Sequence, residues 1–132
     1  MFDIKNNRNR IKLQYHFGLL YSKGNLIQHD MNKSIYYYQL AANQNDIESQ
    51  FNLGLLYEEG ELIPRDMDKS IYYYSRAAYQ NYIKAQFRLG LLYEEGNLIP
   101  RDMDKSLHFY SLAANQNHGP SQCNLGLIYK GQ

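Results

Sequence analysis

The 132-residue chain has no tryptophan, one cysteine and three prolines. A single thiol, Cys123, cannot close an internal disulfide, so nothing in the sequence calls for an oxidising compartment. An excess of charge of one sign is also missing. Fourteen Lys and Arg stand against thirteen Asp and Glu, a net charge of +1. That balance argues against a general surface for nucleic acid or other polyanions. No apolar run approaches the roughly 20 residues of a membrane span, so no membrane insertion is expected. The opening "MFDIKNNRNR" lacks the continuous apolar core of a signal peptide. The expectation is an intracellular, cytoplasmic protein. Phosphate-cradling glycine loops and nucleophile motifs are absent as well, so no enzyme activity and no cofactor are expected.

What the sequence does have is repetition. "LGLLYEEGELIPRDMDKS", Leu53 to Ser70, returns as "LGLLYEEGNLIPRDMDKS", Leu89 to Ser106, with only Glu61 and Asn97 differing. An earlier copy reads "FGLLYSKGNLIQHDMNKS" from Phe17, and a last one reads "LGLIYKGQ" from Leu125. Gly18, Gly54, Gly90 and Gly126 therefore stand 36 residues apart. A fixed period of this size is the signature of a solenoid, and the length suits one domain.

Each copy reads as two helices. In the second, "IESQFNLGLLYEE" (Ile47 to Glu59) is a helix-length A segment. Gly60 suits the left-handed position after it, and Pro64 cannot continue a helix. Asp66 is the N-cap candidate for a B helix from Met67 to Gln80. Asn81 follows, a residue that tolerates left-handed backbone. The same grammar gives Gly24, Asp30 and Asn45 in the first copy, and Gly96, Asp102 and Asn117 in the third. A last A helix is expected over Pro120 to Lys130. The chain should thus be all-α, with about seven helices and essentially no strand. Residues 1–9 read as a polar extension, and 10–45, 46–81, 82–117 and 118–132 as three repeats and a partial fourth. Met67, Ser70, Tyr73, Tyr74, Ala77 and Ala78 form one helical stripe and should be buried. The recurring glycine, costly inside a helix by about 0.5–1 kcal/mol against alanine, suggests a helix crossing without room for a side chain.

The assembled pattern is Ala-x-x-x-Leu-Gly-x-x-Tyr-x-x-Gly, a loop, then Asp-x-x-Lys-Ala-x-x-aromatic-Tyr-x-x-Ala-Ala. It resembles the Sel-1-like repeat, a relative of the tetratricopeptide repeat, over roughly Arg10 to Gly131. The third copy matches best, through Ala85, Leu89, Gly90, Tyr93, Gly96, Asp102, Lys105, Phe109, Tyr110, Ala113 and Ala114. Departures are mild. Ser34, Ser70 and Ser106 stand where alanine is usual, Tyr37, Tyr73 and Phe109 replace the common tryptophan, and Asn45, Asn81 and Asn117 replace glycine. The resemblance implies a right-handed α-α superhelix whose curved surface holds a protein or peptide, in an adaptor or scaffold. Some secreted members carry a disulfide in each repeat, and this chain lacks the cysteines for that.

Apparent chemistry has structural explanations. The "DMD" at Asp66–Asp68 and Asp102–Asp104 looks like a metal motif but fits an N-cap with a first-turn acid. His16, His29, His108 and His118 share neither a repeat column nor a metal-ligand spacing, so surface positions are expected and no metal site. Cys123 occupies the column of Tyr15, Phe51 and Phe87, which reads as a packing position. Glu58, Glu59, Glu94 and Glu95 sit at helix C-termini, where the dipole disfavours anions, with Arg65 and Arg101 near enough in sequence to offset them.

Columns that agree between copies are scaffold, and those that differ are free of that duty. Three variable A-helix columns form a polar stripe at i, i+4 and i+11. They hold Lys12, His16 and Lys23, then Glu48, Asn52 and Glu59, then Lys84, Arg88 and Glu95, and finally Pro120 and Asn124. The resemblance implies that A helices line the concave side, so this stripe is the candidate partner-binding face. A merely solvated stripe is the competing reading. Tyr36, Tyr72 and His108, with Leu40, Arg76 and Leu112 one turn on, should point outward and make a secondary candidate surface or ordinary decoration. Leu125, Leu127, Ile128 and Tyr129 on the last A helix could present an apolar end, and solenoids need polar caps. Self-association end to end through that helix is the alternative function.

Overall fold

The structure, a computed structural model, describes residues 4–23 and 30–131, with side chains over 10–19 and 30–131. The expected roles of Gly24 and His29 and the side chain of Lys23 lie outside the described residues. Within them the chain forms seven α-helices and no strand. These are α1 (Ile4–Lys23), α2 (Met31–Ala42), α3 (Ile47–Glu59), α4 (Met67–Ala78), α5 (Ile83–Glu95), α6 (Met103–Ala114) and α7 (Gly119–Lys130). Odd-numbered helices are the A members of each pair, even-numbered ones the B members.

Local chemistry sets the helix limits. Asp30, Asp66 and Asp102 cap the B helices, each carboxylate accepting from the amide three residues on at 3.1–3.2 Å. Gly60 and Gly96 end the A helices at φ 68°, in the left-handed region. Asn45, Asn81 and Asn117 adopt φ 63–69°, as expected for the residue between repeats. The expected B helix to Gln80 stops earlier, at Ala78. Residues 79–81 tighten into a turn, with Gln80 and Asn81 amides bonding the Ala77 and Ala78 carbonyls at 3.0 Å. Bonds three residues apart replace the helical pattern there and lead the chain into the left-handed asparagine.

Two compact units divide the chain, Met1–Tyr73 and Tyr74–Gln132. In the first, α1 and α2 cross at Gly18. A Cβ on Gly18 would stand 2.7 Å from two Tyr38 ring atoms, so only glycine lets that ring lie flat on α1. Ser34 Oγ donates to the Gly18 carbonyl at 2.9 Å beside it. Ser70 Oγ donates to the Gly54 carbonyl at 2.7 Å in the same way. Gln50, fully buried, joins α3 to the end of α2 by donating to the Ala42 carbonyl at 3.1 Å. Tyr38, Ala42, Leu53, Tyr57 and Tyr73 form the core, flanked by Tyr15, Leu19, Ile35, Leu56 and Ile63.

The second unit repeats the plan. A Cβ on Gly90 would stand 2.5 Å from the Tyr110 ring, and Ser106 Oγ reaches the Gly90 carbonyl at 2.8 Å. Gln86 and Gln122 donate to the Ala78 and Ala114 carbonyls at 3.0 and 3.1 Å. Tyr93 and Phe109 stack with ring centroids 6.2 Å apart. On α4 the expected stripe is buried at Ser70, Tyr73, Tyr74, Ala77 and Ala78, and half-buried at Met67. The serines that replace the family's alanine are thus put to use. Each is fully buried and spends its hydroxyl on a carbonyl of the neighbouring A helix, as a buried hydroxyl must.

Three sequence expectations are corrected. A Cβ on Gly126 would meet nothing within 4 Å, because among the described residues no helix follows α7 to cross it. Cys123 is exposed rather than packed. Its counterpart Phe87 is held by Tyr110 of α6 and by His118, and α7 has no such ring against it among the described residues. His118 is not simple surface. It is the N-cap of α7, with Nδ1 2.7 Å from Ser121 Oγ and 3.3 Å from the Ser121 amide nitrogen.

Candidate functional site

A helices carry the candidate stripe, and their buried columns fix which way it faces. In α3, Leu53 and Gly54 are buried while Glu48 and Glu59 are exposed. In α5, Ala85 and Leu89 are buried while Lys84 and Glu95 are exposed. In the first unit Lys12 Nζ lies 3.9 Å from Glu48 Oε2 and 3.7 Å from Asp46 Oδ1. The structure therefore brings Lys12 and Glu48 together. The pair is more than half exposed on its lysine side, and such pairs contribute at most about 1 kcal/mol. His16 is exposed, beside the Tyr15 ring at 5.6 Å.

Asn52 is half-buried and engaged. Its side chain and that of Glu48 lie beside the Tyr15 hydroxyl. Burial first and then the Glu48 charge push the Tyr15 hydroxyl to ionise at higher pH than usual. In the second unit Arg88 and Asn124 are half-buried. The Tyr110 hydroxyl donates to Glu94 Oε1 at 2.6 Å, and the Asn124 side chain lies beside the same hydroxyl. Burial, the hydrogen bond to Glu94 and the Glu94 and Glu95 charges all hold Tyr110 protonated well above its ordinary range. Each stripe thus lies over a tyrosine clamped between a carboxylate and an amide. Such a surface can offer a polar ligand charge and hydrogen bonds.

Tyr15, Tyr110, Glu94 and Asp46 were not among the candidate site residues of the sequence; Tyr110 figured there only as a repeat residue, Glu94 as a helix-end acid and Tyr15 as a packing column. One signal existed for Tyr15, whose hydroxyl is unique in a column that otherwise holds Phe51, Phe87 and Cys123. The helix-end glutamates have a structural account. Arg65 Nε donates to the Glu58 carbonyl at 2.7 Å and covers the end of α3, which offsets the dipole that Glu58 and Glu59 oppose. Asp66 and Asp102 are committed as caps.

Of the secondary surface, Leu40, Arg76 and Leu112 are half-buried. Tyr36 and Tyr72 are 56% and 55% exposed, and His108 is exposed. His108 lines a cavity of about 360 Å³ with Ser75, Tyr79, Tyr93, Asp104, Lys105 and Phe109. On α7, Leu127 and Tyr129 are exposed while Leu125 and Ile128 are half-buried. No helix is long and apolar enough to cross a membrane among the described residues.

The Sel1 repeat matches the chain at residues 12–46, 47–82 and 83–118. A Sel1 repeat protein from Oxalobacter formigenes is 33% identical, with a TM-score of 0.79 over 90% of this chain. The protein c5321, a protective antigen of uropathogenic Escherichia coli strains displaying an SLR fold, is 28% identical, with a TM-score of 0.82 over 98% of this chain. This chain spans 47% of the first protein and 29% of the second. Helicobacter pylori cysteine rich protein B shares the fold, at 23% identity and a TM-score of 0.69 over 92% of both chains. No curated protein matches significantly. With three consecutive matches across most of its length, the chain belongs to the Sel1 repeat family.

Proposed function

We propose that this chain is a non-catalytic protein-interaction module, an adaptor or scaffold of the cell interior, that holds a peptide or protein against its A-helix faces. The contact residues are Lys12, His16, Lys23, Glu48, Asn52 and Glu59 in the first unit, and Lys84, Arg88, Glu95 and Asn124 in the second. One observation carries the reading. Residues that pack are nearly invariant between copies, whereas the A-helix surface changes from lysine to glutamate and back at Lys12, Glu48 and Lys84. Exposed columns can change with little effect on stability, so this face is free to fit a partner while the scaffold is copied almost letter for letter.

The test is reversal of Lys84 and Arg88 to Glu, with partner capture from the native cell followed by calorimetry at fixed salt. Capture should be lost, since mismatched charge in an interface can cost several kcal/mol, while thermal melting stays near wild type. Undiminished capture would move the site to the Tyr36, Tyr72 and His108 face. Exposure of Leu127 and Tyr129 favours a second reading, end-to-end self-association through α7.

A further inference from the structure

Around Phe109 the second unit gathers rings into a basket. The ring centroids of His108, Tyr79 and Tyr93 stand 5.0, 6.0 and 6.2 Å from that of Phe109, which is 4% exposed and forms the floor. With Ser75, Asp104 and Lys105 these rings line the cavity of about 360 Å³, and all of them belong to the second unit. Tyrosine rings of this chain already take cations. Lys12, Lys69 and Lys105 hold their ammonium groups 5.7, 5.3 and 5.3 Å from the ring centroids of Tyr15, Tyr57 and Tyr93. The Lys105 contact repeats that of Lys69 one period on, so Lys105 is part of the scaffold. Tyr79 is 68% exposed and, among the described residues, carries no cation over its ring. It is also particular to this copy, since Asn43 and Asn115 stand in its column. Asp104 is exposed, and among the described residues its carboxylate has neither an ion pair nor a hydrogen bond.

We propose that this cavity receives one arginine side chain presented by a partner protein, its guanidinium lying on the Tyr79 ring and forked onto the Asp104 carboxylate. The open ring and the unpaired carboxylate select the group. A flat, delocalised cation covers an aromatic face and pairs a carboxylate through two parallel hydrogen bonds. Its remaining N–H groups can donate to the Ser75 hydroxyl, which accepts as well as donates. Lysine suits the place less, because a compact, strongly hydrated ammonium is a point charge without the planar fork. Of the lining groups Lys105 opposes the ligand, and its removal therefore tests the sign of the site. This reading does not rest on the A-helix stripe.

The probe is the peptide acetyl-Gly-Gly-Arg-Gly-Gly-amide, titrated against the isotope-labelled full chain by NMR at fixed pH and salt. Saturable shifts are expected at the amides of Tyr79, Asp104 and His108. Lysine in place of the arginine, or its neutral isostere citrulline, should weaken binding. So should Tyr79→Asn and Asp104→Asn in the chain, each by about threefold or more. Other copies already carry asparagine in these columns, at Asn43, Asn115 and Asn32, so both variants should melt as the wild type does. Lys105→Gln should tighten binding. No saturable shift at these amides, or equal affinity for the citrulline peptide, overturns the proposal. Tighter binding of the same peptide with glutamate in the arginine's place, lost on Lys105→Gln, also overturns it and assigns the cavity to a carboxylate.

Discussion

Replacing Gly90 by valine tests the contact on which each repeat turns. The new Cβ would stand 2.5 Å from Cδ1 and Cε1 of Tyr110, far inside van der Waals contact. Tyr110 is fully buried and held at its far end by the 2.6 Å bond to Glu94, so the ring cannot swing aside without losing that bond. Overpacking of a filled core costs about 1–3 kcal/mol. A displaced hydroxyl adds roughly 1 kcal/mol or more for the lost bond to a charged acceptor. Against this, valine is a better helix former than glycine by a few tenths of a kcal/mol. The expected net loss is about 2–4 kcal/mol. For a chain of this size that lowers the melting midpoint by about 8–16 °C, at roughly 4 °C per kcal/mol. Far-UV circular dichroism melts, with Gly126→Val as the matched control, supply the measurement. Equal midpoints for the two variants would mean that no ring lies on Gly90 and that the account of the repeating glycine is wrong.

A cap can be added where the repeat lacks one. Asp46 and His118 cap α3 and α7 through Ser49 and Ser121, whereas Tyr82 makes no side-chain cap and Ala85 stands in the serine column. Tyr82→Asp with Ala85→Ser should raise stability by about 1 kcal/mol in denaturant melts, and a loss would refute the cap assignment. Alkaline stability provides another test. Tyr110 is raised in the folded chain by burial and by Glu94, so its contribution is complete below the unfolded value of about 10 and falls as pH rises beyond it. The slope is about 1.4 kcal/mol per pH unit until the folded group itself ionises. Tyr110→Phe should therefore flatten the loss of stability above about pH 10, and identical alkaline limbs would place Tyr110 in contact with solvent.

The fold was legible because its determinants are local and repeated. Asp30, Asp66 and Asp102 act on amides three residues away, and Gly60 and Asn81 act through their own backbone angles. The tight crossing was legible at Gly18 and Gly90, since glycine has few other reasons to recur inside a helix. It was not legible at Gly126 or Cys123. There the environment depends on which helix lies opposite, and a column average assigns to the last copy neighbours that only earlier copies have. Nor does spacing reveal that the Tyr110 hydroxyl meets Glu94 and Asn124, because three helices must be packed before those groups converge. The stripe was legible as variation between copies, and its polar underlay at Tyr15 was visible only as one hydroxyl too many.

The lock between Gly90, Ser106 and Tyr110 has both halves within 20 residues of sequence, as does that of Gly18, Ser34 and Tyr38. A gene duplication of one period therefore copies a socket and its occupant in a single event. The new copy arrives with its helix crossing already matched, and its Gln50-type link supplies the join to the copy before it. Change can then accumulate on the A-helix surface alone, without compensation elsewhere. The near identity of Leu53–Ser70 and Leu89–Ser106 is what such growth leaves behind, an array lengthened by copying a part whose inner crossing is already matched.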